Sequence, residues 1–199
     1  MQKSFSFDRN AYRSDVSYND YYWFETGFTK EELQEIEEMT SNLSWETAAT
    51  GQDDKSQVSE YRKSKIKWCP QTEEWTWVYS KLHDMISEAN DIMWKMDITM
   101  MPEAIQYTEY YGGGGHYDWH MDCGIGMQNR RKISVTVQLS DPSEYEGGDL
   151  QFNIGKQITA PRAQGAAVIF PSFYLHRVTP VKSGTRKSFV LWVGGEPYR

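Results

Sequence analysis

Apolar residues recur at helical spacing in two stretches of the first half of the chain and give way to short strand-like runs in the second. In "TGFTKEELQEIEEMTSNL" the apolar positions Phe28, Leu33, Ile36 and Met39 fall on one helical face, and Thr29 followed three residues later by Glu32 forms a capping-box signature. The pattern predicts a helix over 30–42. A second, longer helix is predicted in "TEEWTWVYSKLHDMISEANDIMW", where Trp75, Val78, Leu82, Ile86, Ala89 and Met93 repeat at threes and fours after Pro70 and Thr72. His83 sits beside that stripe, as a packing or surface residue. Between the helices, 43–63 is polar and reads as a loop able to lie over a cleft, followed by a short strand in "SKIKW".

From residue 97 the texture is one of β-type runs bounded by Gly, Pro, Asp and Ser: "AIQYTEYY", "HYDWHMD", "KISVTVQLS", "GDLQFNI", "KQITA", "AAVIFP", "LHRVTPV" and "RKSFVLWV". Runs of this length with hairpin-sized connections predict a mainly β fold with flanking helices, a sandwich or jelly roll. No repeat or linker divides the chain. The expectation is one domain over 1–199, with helical support in 1–95 and a β core in 96–195.

Composition narrows the function classes. The formal net charge of −7 disfavours a broad phosphate-binding surface, and so nucleic acid as a partner. The amino-terminal "MQKSFSFDRNAY" has no apolar core of a signal peptide, and no stretch approaches the roughly 20 apolar residues that span a bilayer. Cys69 and Cys123 stand alone, outside any C-x-x-C pair. The expectation is a cytoplasmic protein with reduced thiols and no membrane partner.

The chemistry concentrates in "GGGGHYDWHMDCGIG", which holds two overlapping His-x-Asp triplets. Residues two apart on a strand point the same way, so either triplet delivers an imidazole and a carboxylate together. If the whole run is extended, His116, Asp118, His120 and Asp122 line one face. The glycines before His116 mark irregular backbone, whereas Asp122 ends the run at an open turn, which modestly favours His120 and Asp122. His176 in "FPSFYLHRVTPV" supplies a third ligand. Two His and one carboxylate without thiolates suit iron(II) or a similar first-row ion and leave positions open for other ligands. Arg186 offers a rigid fork for a carboxylate, with Ser188 on the same strand face adding a hydroxyl.

Together these residues resemble the iron(II)- and 2-oxoglutarate-dependent dioxygenases, and within them the prolyl-4-hydroxylase-like branch with its PKHD-type hydroxylases. The likeness runs over about 104–193, through "QYTEYYGGGGHYDWHMD", "RRKISVTVQLSDPSEYEGGDLQF" and "APRAQGAAVIFPSFYLHRVTPVKSGTRKSFVLW". In that branch a Tyr, six residues, a second Tyr and two residues precede the metal His-x-Asp. Tyr110, Tyr117 and His120-Met121-Asp122 meet this spacing, so the resemblance selects the second triplet. It further implies His176 as the distal iron ligand and Arg186 as anchor for the 5-carboxylate of 2-oxoglutarate. Tyr110 is implied as a phenolic donor to that cosubstrate, with Ser188 assisting. Gln138 stands where several relatives carry a second cosubstrate-binding Tyr, and its amide retains a donor.

The implied fold is a double-stranded β-helix, the cupin-like jelly roll. The implied reaction is hydroxylation of a C–H bond with 2-oxoglutarate converted to succinate and CO2, using Fe(II) and O2, with ascorbate as an auxiliary candidate. A protein or peptide substrate, proline first, is the leading expectation. The same chemistry on a small molecule or a nucleobase, and a non-catalytic jelly-roll binding module, are the alternatives. The aromatic "YYWFE" near the start and the loop 43–63 are candidate rims, and oligomeric state is open.

Overall fold

The computed structural model describes residues 20–48 and 60–197. In chain order the elements are β1 (Tyr22–Phe24), α1 (Lys30–Ser41), β2 (Glu46–Thr47), β3 (Arg62–Lys63), β4 (Lys65–Cys69), α2 (Thr76–Met93), β5 (Ile105–Tyr111), β6 (Gly115–His120) and β7 (Arg131–Gln138). They continue with β8 (Tyr145–Gly147), β9 (Leu150–Asn153), β10 (Gln157–Thr159), β11 (Ala167–Pro171) and β12 (His176–Gly194).

Both helices start where the periodicity places them. Thr29 and Glu32 form the reciprocal capping box of α1, and Lys81 of α2 reaches Glu32 at 2.5 Å, tying the two helices together. Their apolar faces pack on one side of a sheet ordered β1-β11-β7-β12-β5-β4-β2. Ile105, Tyr107, Ile133, Val135, Val137, Phe189 and Leu191 supply that side, with Trp75 of the helical layer edge-on to Phe189. This is the apolar half of the strand alternation. The polar half, which includes Gln106, Thr108, Ser134, Thr136, Gln138 and Ser188, is also buried, because it faces a second sheet.

That second sheet is built from β3, β6, β9 and β10, with β8, around the first half of β12. The two runs "LHRVTPV" and "RKSFVLWV", expected as separate strands, are one continuous 19-residue strand. Its first half pairs with β6, β8 and β9, and from Thr185 onward it pairs with β5 and β7 in the first sheet. Gly184, at φ 73°, is the hinge between the halves, and a Cβ there would meet the Glu144 carbonyl oxygen at 1.9 Å. The architecture is a jelly roll of two facing sheets with helices on one side.

The N-terminal part is less purely helical than expected, since β1 to β4 all precede residue 96 and join the sheets. The stretch 43–63 is likewise not a loop throughout: β2 and β3 occupy its two ends, each paired into a sheet, while residues 49–59 lie outside the described residues. The "YYWFE" segment forms β1 against β11. Among the described residues no helix is long and apolar enough to cross a membrane.

Gly184→Ala is expected to lower stability by about 3 kcal/mol or more, because strain at positive φ adds to a backbone clash. Gly113→Ala, at φ 82° with nothing within 4 Å of its Cβ, should cost only about 1 kcal/mol. Urea unfolding midpoints of the two variants check the difference.

Candidate metal centre

The two His-x-Asp triplets are separated by an irregularity in β6. Its register with β12 pairs Val178 with Tyr117 and His176 with His120, so two steps on β12 match three on β6. One extra residue in a strand breaks the alternation of faces. Tyr117 and His120, three apart, therefore turn to the same side, and their rings stack at 3.5 Å between centroids with 16° between planes. The possibility that four residues from His116 to Asp122 share a face does not hold, and the strand ends at His120.

His116 points away from the interior, with Nδ1 at 2.7 Å from the Gly114 carbonyl and Nε2 at 2.8 Å from that of Glu60. With a backbone carbonyl against each nitrogen, neither nitrogen is directed at the second triplet. Asp118 is exposed and caps the Trp119 amide at 2.8 Å.

The second triplet turns inward and meets the histidine of β12. Ligand atoms of His120, Asp122 and His176 lie within 4.8 Å of one another. Asp122 Oδ1 is 3.6 Å from His120 Nε2, and its Oδ2 is 3.5 Å from His176 Nε2. In each histidine Nδ1 sits on a backbone carbonyl, Asp118 at 2.7 Å and Tyr174 at 2.8 Å. A carbonyl only accepts, so Nδ1 carries the proton and each Nε2 presents its lone pair to the common point. Burial, reinforced by the neighbouring His176, holds His120 well below the usual histidine range, which keeps the imidazole neutral and able to ligate. Burial acts to raise Asp122, yet the carboxyl is lowered: His176 and His120 act on it when they carry a second proton, and the Ser134 hydroxyl and the Arg131 guanidinium act on it whether or not they do.

Three residues that the sequence reading passed over hold Asp122. Ser134 Oγ donates to Asp122 Oδ2 at 2.6 Å, and Ser172 Oγ lies 2.9 Å from Ser134 Oγ. Since the Ser134 proton goes to the carboxylate, Ser172 is the donor in the serine pair. The Ser172 carbonyl accepts from the Asp122 amide at 2.9 Å. Arg131 donates to the Asp122 carbonyl at 3.1 Å, binds Glu103 through two nitrogens at 2.8 and 3.0 Å, and covers the Trp192 ring at 3.8 Å. Only the polar face of "KISVTVQLS" hinted at Ser134, and that face reads equally as solvent-exposed.

The triad opens into a cavity of about 740 Å³ between the sheets, lined at its other end by Tyr110, Arg186 and Ser188. Strand register places Arg186 beside Tyr110, and Ser188 beside both Thr108 and Gln138, all facing inward. Arg186 is 1 % exposed. Its Nη2 donates to Gln138 Oε1 at 2.9 Å, its Nη1 has a long 3.4 Å contact with Ser188, and its Nε has no partner among the described residues. A buried guanidinium with unspent donors fits an anionic group from outside the chain. Gln138 stands beside Arg186: its amide nitrogen donates to the Pro161 carbonyl at 3.2 Å and its oxygen accepts from Arg186, which engages one of its two N–H groups. Gly147 and Gly148, at φ 78° and 66°, allow close approach, a Cβ on Gly148 falling 3.0 Å from Arg186 Cδ.

Comparisons with known proteins find similarity in sequence and in fold. The profile of the 2OG-Fe(II) oxygenase superfamily matches residues 105–194. PKHD-type hydroxylases of Synechococcus sp. (strain CC9902) and Colwellia psychrerythraea are 41% identical over 83 residues and 40% identical over 99. These matches cover 40% and 48% of this chain and 36% and 43% of the relatives, so the chain matches less than half of their length. The fold is shared with a prolyl hydroxylase from Trichoplax adhaerens, solved with a hypoxia inducible factor peptide fragment, at TM-score 0.73 and 19% identity over 88% of this chain and 84% of that one. A Pseudomonas putida prolyl-4-hydroxylase matches at TM-score 0.67 and 18% identity, over 88% and 93% of the two chains. The family likeness read from the sequence is borne out, with the similarity to the 2OG-Fe(II) oxygenase superfamily running over residues 105–194.

Ser134→Ala is expected to weaken divalent-metal binding by roughly 10- to 100-fold, since it frees one carboxylate oxygen. His116→Ala should leave affinity within about twofold, because neither of its nitrogens faces the triad. Anaerobic titration with Co(II), followed by its visible absorption, measures both.

Proposed function

We propose that this chain is an Fe(II)- and 2-oxoglutarate-dependent dioxygenase that hydroxylates a C–H bond of a peptidyl residue, proline first, releasing succinate and CO2. The observation that carries the reading is the convergence of His120, Asp122 and His176 on one point, in the same cavity as the buried guanidinium of Arg186. Three protein ligands suit an ion that must also accept a cosubstrate and oxygen. When bound, iron supplies the oxygen activation and C–H oxidation coupled to decarboxylation of 2-oxoglutarate.

The residues of the chain contribute binding and orientation. Arg186 pairs with the distal carboxylate of 2-oxoglutarate, Ser188 and Tyr110 add donors, and Gln138 fixes the guanidinium plane through its amide oxygen. Ser134 keeps one Asp122 oxygen occupied, so the carboxylate offers the other to the metal. Tyr117 pins the His120 ring from its face, and the Arg62 guanidinium lies over the Tyr117 ring at 4.6 Å. The two sheets keep this chemistry in a water-poor cleft.

A polypeptide substrate is supported by structural neighbours described as prolyl hydroxylases, one of them in complex with a peptide fragment. The net charge of −7 suits a basic target. Both cysteines are free, which supports a reducing, cytoplasmic setting. Ascorbate is assigned the auxiliary role of keeping iron ferrous.

Protein mixed anaerobically with Fe(II) and 2-oxoglutarate is expected to show a visible charge-transfer band, and to form succinate when oxygen enters. His120→Ala and Asp122→Ala should each abolish succinate formation. Arg186→Lys should raise the 2-oxoglutarate KM on the order of tenfold, because one ammonium cannot reproduce the fork. No band and no succinate in the unaltered protein would overturn the reading.

A further inference from the structure

Large apolar side chains are unusually exposed beside the metal centre. Met121 is 54 % exposed, Ile125 79 %, Met127 67 % and Phe173 44 %. Singly scattered apolar residues are ordinary on a surface, but a cluster on joined segments is not. Met121 immediately precedes Asp122, and Ile125 and Met127 lie on the loop that leaves it, whose 3-10 turn Gly126–Arg130 buries none of its residues. Phe173 lies on the turn between β11 and β12, and the two segments are tied together at Ser172, whose carbonyl accepts from the amides of Asp122 and Cys123 at 2.9 and 3.2 Å.

We infer that Ile125, Met127 and Phe173, with Met121 at their inner edge, form a shelf that docks large apolar side chains flanking the hydroxylated residue of a polypeptide substrate. The inference rests on the proposed function and adds the chemistry of the substrate's flanks. Continuity identifies the occupant: Met121 sits between two candidate metal ligands and lines the cavity, so the shelf begins where a reacting residue would enter. A small metabolite consumed inside the cavity would leave the shelf uncovered. A polypeptide must leave through the mouth, and its residues two to four positions from the reacting one fall roughly 7–14 Å away, on the rim. Methionine is suited to such a surface, since its flexible thioether adapts to different apolar partners.

The test uses the full chain loaded with Mn(II) and 2-oxoglutarate, which holds the site assembled without turnover. Fluorescent 15-residue peptides with one central proline carry either Leu and Phe or Ser and Asn at the flanking positions, and anisotropy gives the affinities. The unaltered protein should bind the Leu/Phe peptides about tenfold more tightly, the scale expected for burying an apolar side chain. Ile125→Ser combined with Met127→Ser, and separately Phe173→Ser, should cut the preference below about twofold. Metal affinity and peptide-independent succinate formation by the Fe(II) protein should not change. A variant that loses thermal stability is replaced by Ile125→Gln, read the same way.

Absence of a preference in the unaltered protein, or its survival in the variants, overturns the inference. So does loss, in those variants, of self-association or of sedimentation with phosphatidylglycerol vesicles in place of peptide preference, which would assign the shelf to a second copy or a lipid surface. Succinate formation without peptide reports the enzyme reading independently, so an inactive enzyme and an idle shelf give different patterns.

Discussion

The candidate site depends on one strand that belongs to both sheets. His176 and Arg186 are carried by β12, on opposite sides of the bend at Gly184. Because each half is hydrogen-bonded on both sides by other strands, neither end can shift without breaking a ladder. The separation between the metal triad and the guanidinium is thereby set by the backbone, independently of side-chain choice. Only glycine tolerates the bend, since any Cβ would enter the Glu144 carbonyl.

The inner face of the first sheet shows what such a site demands. Burying Ser134, Thr136, Gln138, Ser188 and Arg186 in one layer would be costly if their polar atoms went unpaired. Much of the layer is internally satisfied: Ser134 serves Asp122, Ser172 serves Ser134, and Gln138 serves both Arg186 and Pro161. What is left over is specific. The lone pairs of two imidazoles converge at one end, and unspent guanidinium donors stand at the other. A ligand offering a cation at one end and an anion at the other matches that remainder.

Much of this was legible in the sequence. The capping box of Thr29 and Glu32 fixed the start of α1, and the stripe from Val78 to Met93 belongs to α2. Strict alternation in "KISVTVQLS" gave β7 and its apolar face. The rest was hidden for physical reasons. The bulge in β6 depends on pairing with β12, a long-range property that no local pattern carries. The two-residue strands β2 and β3 are too short to display a period. Ser134 looked like half of a solvated face because alternation reports only that two faces differ, and both faces of this sheet are covered. Gln138 could be placed at the pocket but not oriented, since the partner of its amide nitrogen, Pro161, lies in a loop.

The most direct test of the central geometry is anomalous diffraction from crystals grown anaerobically with Mn(II) and 2-oxoglutarate. The account predicts a single strong anomalous peak bounded by His120 Nε2, His176 Nε2 and an Asp122 oxygen, with the distal carboxylate of the cosubstrate against the guanidinium of Arg186. A peak at His116, or a cosubstrate whose distal carboxylate lies away from Arg186, would contradict it.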